Sequence, residues 1–205
     1  MIKKRAASNR DAPARVAGTV FSVLDECHRQ TLGAIARIET IAERIEAGPP
    51  DAQTRALASA VIRHFSIVAR EHHADEERHV FPKLAASGDP AMEQAVLRLQ
   101  QDHHWLQEDW MTLLPHLDAI ACGQSWYDVD VVREGGAIFA ALSRDHIFFE
   151  ECVLYPEFRR RLRPVEVGEI EREMAARRRA SRGVAARGCA PVPHDAVGKG
   201  TEGGA

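Results

Sequence analysis

The 205-residue sequence predicts an all-α protein: an antiparallel up-down four-helix bundle, then a short C-terminal helix and a disordered tail. Three observations carry this. Apolar residues recur at steps of three and four over four long segments. Short turn signals separate those segments, so successive helices become antiparallel neighbours. No segment has the polar–apolar alternation of a strand.

The first helix is expected over about 16–47, with Phe21, Leu24, Leu32, Ile35, Ile38 and Ile45 on one face. "GPPD" (48–51) ends it and offers Asp51 as the next N-cap. The second spans about 52–86, with Leu57, Val61, Phe65 and Val68 inward. "SGDP" (87–90) supplies Asp89 as cap and Pro90 at the first helical position. The third spans about 91–122 on a stripe of Met92, Val96, Leu99, Leu106, Trp110 and Leu114, with Pro115 expected to kink or shorten it. After the turn "CGQSWYD", the fourth spans about 129–163, with Val132, Phe139, Leu142, Phe149 and Val153 inward. Helices of this size are about 45 Å long. Residues 1–15 are basic and expected to be disordered, 16–163 form the bundle, and 164–205 hold the short helix and tail.

Bulk properties exclude several classes. Net charge is −3, so the chain as a whole is no electrostatic nucleic-acid binder. Residues 159–187 carry ten arginines against four glutamates, read as a solvated basic face with no recognition motif. No apolar run reaches the roughly 18 residues of a membrane span, and the N-terminus lacks a signal-peptide core, so the expected compartment is the cytoplasm. Cys27, Cys122, Cys152 and Cys189 form no C-x2-C pair, which argues against a thiolate zinc site.

The chemistry lies in an internal echo. "HHADEERHVFPKL" in the second helix and "HIFFEECVLYPEF" in the fourth share H-x3-E-E-x2-[VL]-[FY]-P-x-[LF]. Residues four apart share a helix face, so an imidazole and a carboxylate at H-x3-E reach one ion, or the carboxylate bridges two. The second copy has a single histidine, His146, aligned with His72. That selects His72/Glu76 and His146/Glu150 over His73/Glu77. His73, Asp75, Glu77 and Arg78 are assigned to the outer wall. His28 and His103 lie on the apolar stripes of the first and third helices. His28 and His72 stand 44 residues apart, His103 and His146 43, which places all four at similar depth in antiparallel helices. Two buried carboxylates without cations would be costly. Two divalent ions bridged by Glu76 and Glu150, each with two histidines, resolve this, and the donors suit iron or manganese.

At these residues the sequence resembles the hemerythrin/HHE cation-binding family. "ECHRQTL", "HHADEERHVFPKL", "QDHHWLQ" and "DHIFFEECVLYPEF" resemble its four helix motifs across roughly 16–162. The resemblance implies His28, His72, Glu76, His103, His146 and Glu150 as ligands of an oxo- or hydroxo-bridged di-iron centre. Oxygen-carrying members have a second histidine one turn after the third-helix ligand, where this chain has Gln107, and an aspartate where it has Glu151. The four-His, two-Glu set is more similar to bacterial members implicated in iron–sulfur repair and nitrosative stress. Those carry an added N-terminal cysteine-containing domain, which this sequence lacks.

His79, Gln107 and Glu151 are expected close around the ligands. His104 with Glu108, His116 and His194 are read as surface, and His64 as flanking the bundle end. Trp105, Trp110 and Phe149 are core or pocket wall. The leading function is a centre that binds or senses O2 or NO. The alternatives are an iron-handling, iron–sulfur-repair or NO- or peroxide-reducing enzyme, which needs a redox partner protein, and a metal that only staples the bundle.

Overall fold

The computed structural model describes the backbone of residues 19–187 and the side chains of 20–180. The basic N-terminal segment, Cys189, His194 and the tail from 188 lie outside the described residues. Five helices are present and no strand occurs among the described residues. We label them α1 (Thr19–Ala47), α2 (52–85), α3 (Pro90–Ala121), α4 (129–161) and α5 (Pro164–Arg187).

Local chemistry sets the helix ends as the sequence indicates. Asp51 accepts a 2.8 Å hydrogen bond from the Thr54 amide, and Asp89 accepts from Ala91 with Pro90 in the first turn. Gly88 and Gly123 take positive φ after α2 and α3, a conformation that favours glycine. Pro115 does not shorten α3, which runs on to Ala121.

α1 packs on α2 and α4, and α3 packs on α2 and α4, closing the four-helix ring. Two apolar layers fill it. One joins Ile35, Ile38 and Ile41 to Val61, Phe65, Leu113, Leu117 and Phe139. The other joins Phe21 and Leu24 to Phe81, Leu84, Leu99, Leu154 and Phe158. Between them lies a belt of buried histidines and glutamates. At one α1–α4 contact a Cβ on Gly136 would sit 2.8 Å from Ile38 Cγ2, so glycine permits the approach.

Several inward assignments shift. Leu32 is exposed, and Thr31 takes its place on the buried stripe of α1, where its hydroxyl meets His64 Nε2 at 2.9 Å. In α4 Val132 and Phe139 are buried as expected, and Ser143, His146 and Ile147 are buried with them, whereas Leu142, Phe149 and Val153 are half-buried. Trp105 is exposed rather than core or pocket wall. α5 is longer than the short helix expected, continuing to Arg187 through residues assigned to the tail. Its Val167 and Met174 join the second apolar layer. Arg177 and Arg178 are not a solvated face: both reach Asp75, which is 2% exposed rather than on the outer wall.

Candidate metal centre

Two glutamates open the same backbone feature. α2 carries a π turn at Glu76–Val80, and α4 carries one at Glu150–Leu154. In both, the residue before the proline sends its amide to the glutamate carbonyl: Phe81 to Glu76 and Tyr155 to Glu150. Pro82 and Pro156 lack the N–H that an α-helix would use at the next position, so a widened turn suits them. Turns of this kind are frequent at functional sites. The echo in sequence is therefore an echo in backbone.

The structure brings His28, His72, Glu76, His103, His146 and Glu150 together, each no more than 6% exposed. They form two groups. His28, His72, Glu76 and Glu150 hold ligand atoms within 4.8 Å of one another, as do His73, Glu76, His103 and His146. Each glutamate spans both groups. Glu76 Oε1 lies 3.4 Å from His72 Nε2, and its Oε2 lies 3.5 Å from His103 Nε2. Glu150 Oε2 lies 3.0 Å from His28 Nε2, and its Oε1 lies 3.1 Å from His146 Nε2.

These approaches are not a satisfied hydrogen-bond network. Glu76 Oε2, both Glu150 carboxylate oxygens, His103 Nε2 and His146 Nε2 are buried without a hydrogen-bond partner. His28 Nε2 and His72 Nε2 face each other at 3.0 Å. Buried polar atoms are ordinarily paired, so this many converging orphans need an explanation. Divalent cations supply one, and imidazole with carboxylate fits iron or manganese.

Two outer carboxylates orient the imidazoles. Glu151 Oε1 accepts from His28 Nδ1 at 3.0 Å, and Glu77 Oε1 accepts from His103 Nδ1 at 2.8 Å. With the proton on Nδ1, Nε2 keeps its lone pair toward the centre. Glu77 is the counterpart of Glu151 in the echo. It is exposed, as the sequence suggests, yet it acts on the site.

Electrostatics show the cost of the box without cations. Burial and the neighbouring Glu150 push the Glu76 carboxyl up to about 7. Burial lowers the His146 imidazole, but the Glu150 and Asp102 carboxylates outweigh it and bring it to about 10. Burial holds His72 and His73 well below the usual histidine range.

His73 is the main departure from the sequence reading, which assigns it to the outer wall. Instead its ring stacks on His103, with centroids 3.9 Å apart and planes 16° from parallel. A bundle helix touches two neighbours, so consecutive residues can serve both: His72 meets His28 on α1, and His73 meets His103 on α3. A fifth imidazole thus reaches the centre although Gln107 occupies the α3 position. Tyr155 is a site residue that sequence reasoning misses. Its phenol O–H donates to Glu76 Oε1 at 2.5 Å and its ring stacks on His28 at 5.3 Å. The signal is present in the sequence, since Tyr155 is the aromatic of the second copy.

Gln107 is exposed, at the rim of a cavity of about 40 Å³ that also touches His28, His72, His73, His146 and Trp110. That volume holds a few waters or a diatomic molecule. His79 is not at the centre: its Nε2 pairs with Glu173 of α5 at 2.6 Å. His104 pairs with Glu108 on the surface at 3.2 Å. Cys27 is buried and its thiol is pushed up to about 12, chiefly by burial. It therefore has little thiolate character. No described helix is long and apolar enough to cross a membrane.

No curated protein matches the chain. Residues 19–161 match the hemerythrin HHE cation binding domain, a span that covers the four bundle helices and every residue of the centre. The chain belongs to the hemerythrin HHE cation-binding family.

Proposed function

We propose that the bundle holds a non-haem di-iron centre that binds O2 or NO. The observation that carries this is the pair of buried His/carboxylate groups that share Glu76 and are linked again by Glu150, which lies against both His28 and His146, beside a cavity sized for a small molecule. In this reading His28 and His72 serve one ion and His103 and His146 the other. His73 is added to the second group. Glu76 and Glu150 would help hold both ions, and Glu77 and Glu151 fix the imidazole tautomers.

When bound, the ions supply redox-active, Lewis-acidic positions for a diatomic ligand. The chain supplies the rest. Phe65, Leu106, Trp110, Phe139 and Ile147 give the cavity an apolar wall that keeps bulk water from the ligand. Tyr155 gives a neutral hydrogen-bond donor beside Glu76.

The test is optical. Protein loaded with iron is reduced under argon, then exposed separately to O2 and NO. Distinct new absorption with each gas, reversed on removing it, is expected for a binding protein. Rapid repeated consumption of gas would favour the enzymatic alternative. Unchanged spectra with both gases would contradict the proposal and leave the metal as a staple of the fold.

A further inference from the structure

Away from the metal centre, α1 and α2 leave an open groove of about 450 Å³ between them, within the size range of small-molecule sites. Small residues line it on both helices, Gly33 on α1 and Ala60 on α2. Its other lining is cationic. Arg29 and Arg37 stand one turn either side of Gly33, and Arg63 joins them from α2. A Cβ on Gly33 would meet only Arg37 Nη1, at 3.8 Å, so the Arg37 guanidinium lies beside the glycine and the space above it stays open.

These charges are not balanced. Among the described residues, neither Arg37 nor Arg63 pairs with a carboxylate. Other arginines of the bundle surface have theirs: Arg44 has Asp51, and Arg144 has Glu39. The one acid at the groove is Glu26, which pairs with Arg29 and accepts from Gln30 Nε2 at 2.6 Å. His64 lines the same groove although its ring is 8% exposed. Its Nε2 is engaged by the Thr31 hydroxyl, and among the described residues nothing pairs with its Nδ1. When Thr31 donates to Nε2, Nδ1 carries the ring proton and is a free donor. Burial, and after it the Arg37 guanidinium, hold this ring neutral. A π turn also opens at His64, and such turns are frequent at functional sites.

We propose that this groove binds a small molecule bearing a phosphomonoester, with Arg37 and Arg63 as its main donors. Arg29, once released from Glu26, is the third cation, and His64 Nδ1–H is a neutral donor. A guanidinium presents paired N–H groups that match phosphate oxygens, and a dianion with three free oxygens takes them from more than one arginine. A carboxylate brings one charge and two oxygens to the same donors, so phosphate is the better match. Gly33 and Ala60 leave room for the body of the ligand. Thr31 lines the small cavity at the metal centre, so groove and cavity share the Thr31–His64 pair as a wall.

The experiment titrates the full, iron-loaded chain with β-glycerophosphate by calorimetry, in buffer free of phosphate and sulfate. One equivalent should bind per chain, more weakly as salt rises. Arg37→Gln and Arg63→Gln should each weaken binding by about tenfold. Gly33→Leu keeps all three arginines but fills the groove, and should abolish binding. Leucine favours helix over glycine, so that variant should melt no lower than the unaltered chain. Arg179→Gln removes an exposed charge from α5 and should change nothing. No saturable binding to the unaltered chain overturns the proposal, whether or not any variant folds. Full-strength binding to either arginine variant or to Gly33→Leu also overturns it, because the phosphate is then held elsewhere, as at the iron. So does a chain that sediments with phosphatidic acid vesicles but ignores β-glycerophosphate, since the phosphate is then a lipid's.

Discussion

Glu76→Gln should abolish metal binding and yet make the metal-free protein more stable. Glu76 is fully buried, with its carboxyl raised from 4.5 to about 7 by burial and by Glu150. The folded state therefore holds a proton there that the unfolded chain releases at lower pH. Stability from this group is fully present below pH 4.5 and is lost as pH rises through about 7. At about 1.36 kcal/mol per pH unit, the loss is about 3 kcal/mol. Glutamine keeps the shape and the acceptor for Tyr155 but never ionises. For a chain of this size, about 3 kcal/mol is roughly 6–12 °C in melting temperature. The assay is thermal unfolding of chelator-treated protein at pH 5 and pH 8, followed by circular dichroism. The variant should melt higher than the unaltered protein at pH 8, and the gap should nearly close at pH 5. Saturating metal should reverse the order at pH 8. Equal or lower stability of the metal-free variant at pH 8 would refute the reasoning.

Other outcomes follow from the same packing. Replacing both Arg177 and Arg178 with leucine strands Asp75, 2% exposed, and should cost about 3 kcal/mol or more in urea unfolding; adding Asp75→Leu should recover most of that. Gly136→Ala puts a methyl 2.8 Å from Ile38 Cγ2 and should cost about 1–3 kcal/mol, whereas Gly48→Ala, with nothing within 4 Å, should stay within about 0.5 kcal/mol by the same measurement. Burial lowers His64 from 6.5 to about 4, so folding favours its neutral form. Its contribution, up to about 3 kcal/mol, is present above pH 6.5 and lost as pH falls toward 4, and His64→Gln should flatten the stability profile across that window.

Much of the bundle was legible because each helix buries a wide stripe and each turn carries its own chemistry. Asp51 and Asp89 cap where their positions indicated. The inward placement of His72, Glu76, His146 and Glu150 was legible for a different reason. A repeated motif cancels local ambiguity, as the single histidine of the second copy did for the first. The same device misled at His73. A repeat reports what two halves share, and His73 is a place where they differ. Asp75 was unreadable from its own helix, since what buries it is a pair of arginines roughly a hundred residues later. Leu32 was misplaced because a greasy residue at helical spacing outranked Thr31, whose hydroxyl has a buried partner in His64. Glu77 shows the opposite failure: an exposed acid that looks like solvated surface can still fix the proton of a buried imidazole.

The central claim is that Glu76 and Glu150, with their histidines, form one two-ion site. The direct measurement is metal content per chain, by elemental analysis, of protein produced with ample iron and of its His72→Ala and Glu150→Ala variants, each checked for helical content. Two ions are expected in the unaltered chain, matching the two ligand groups, with a loss of at least one in each folded variant. No bound metal in the unaltered chain, or full metal content in either folded variant, would contradict it.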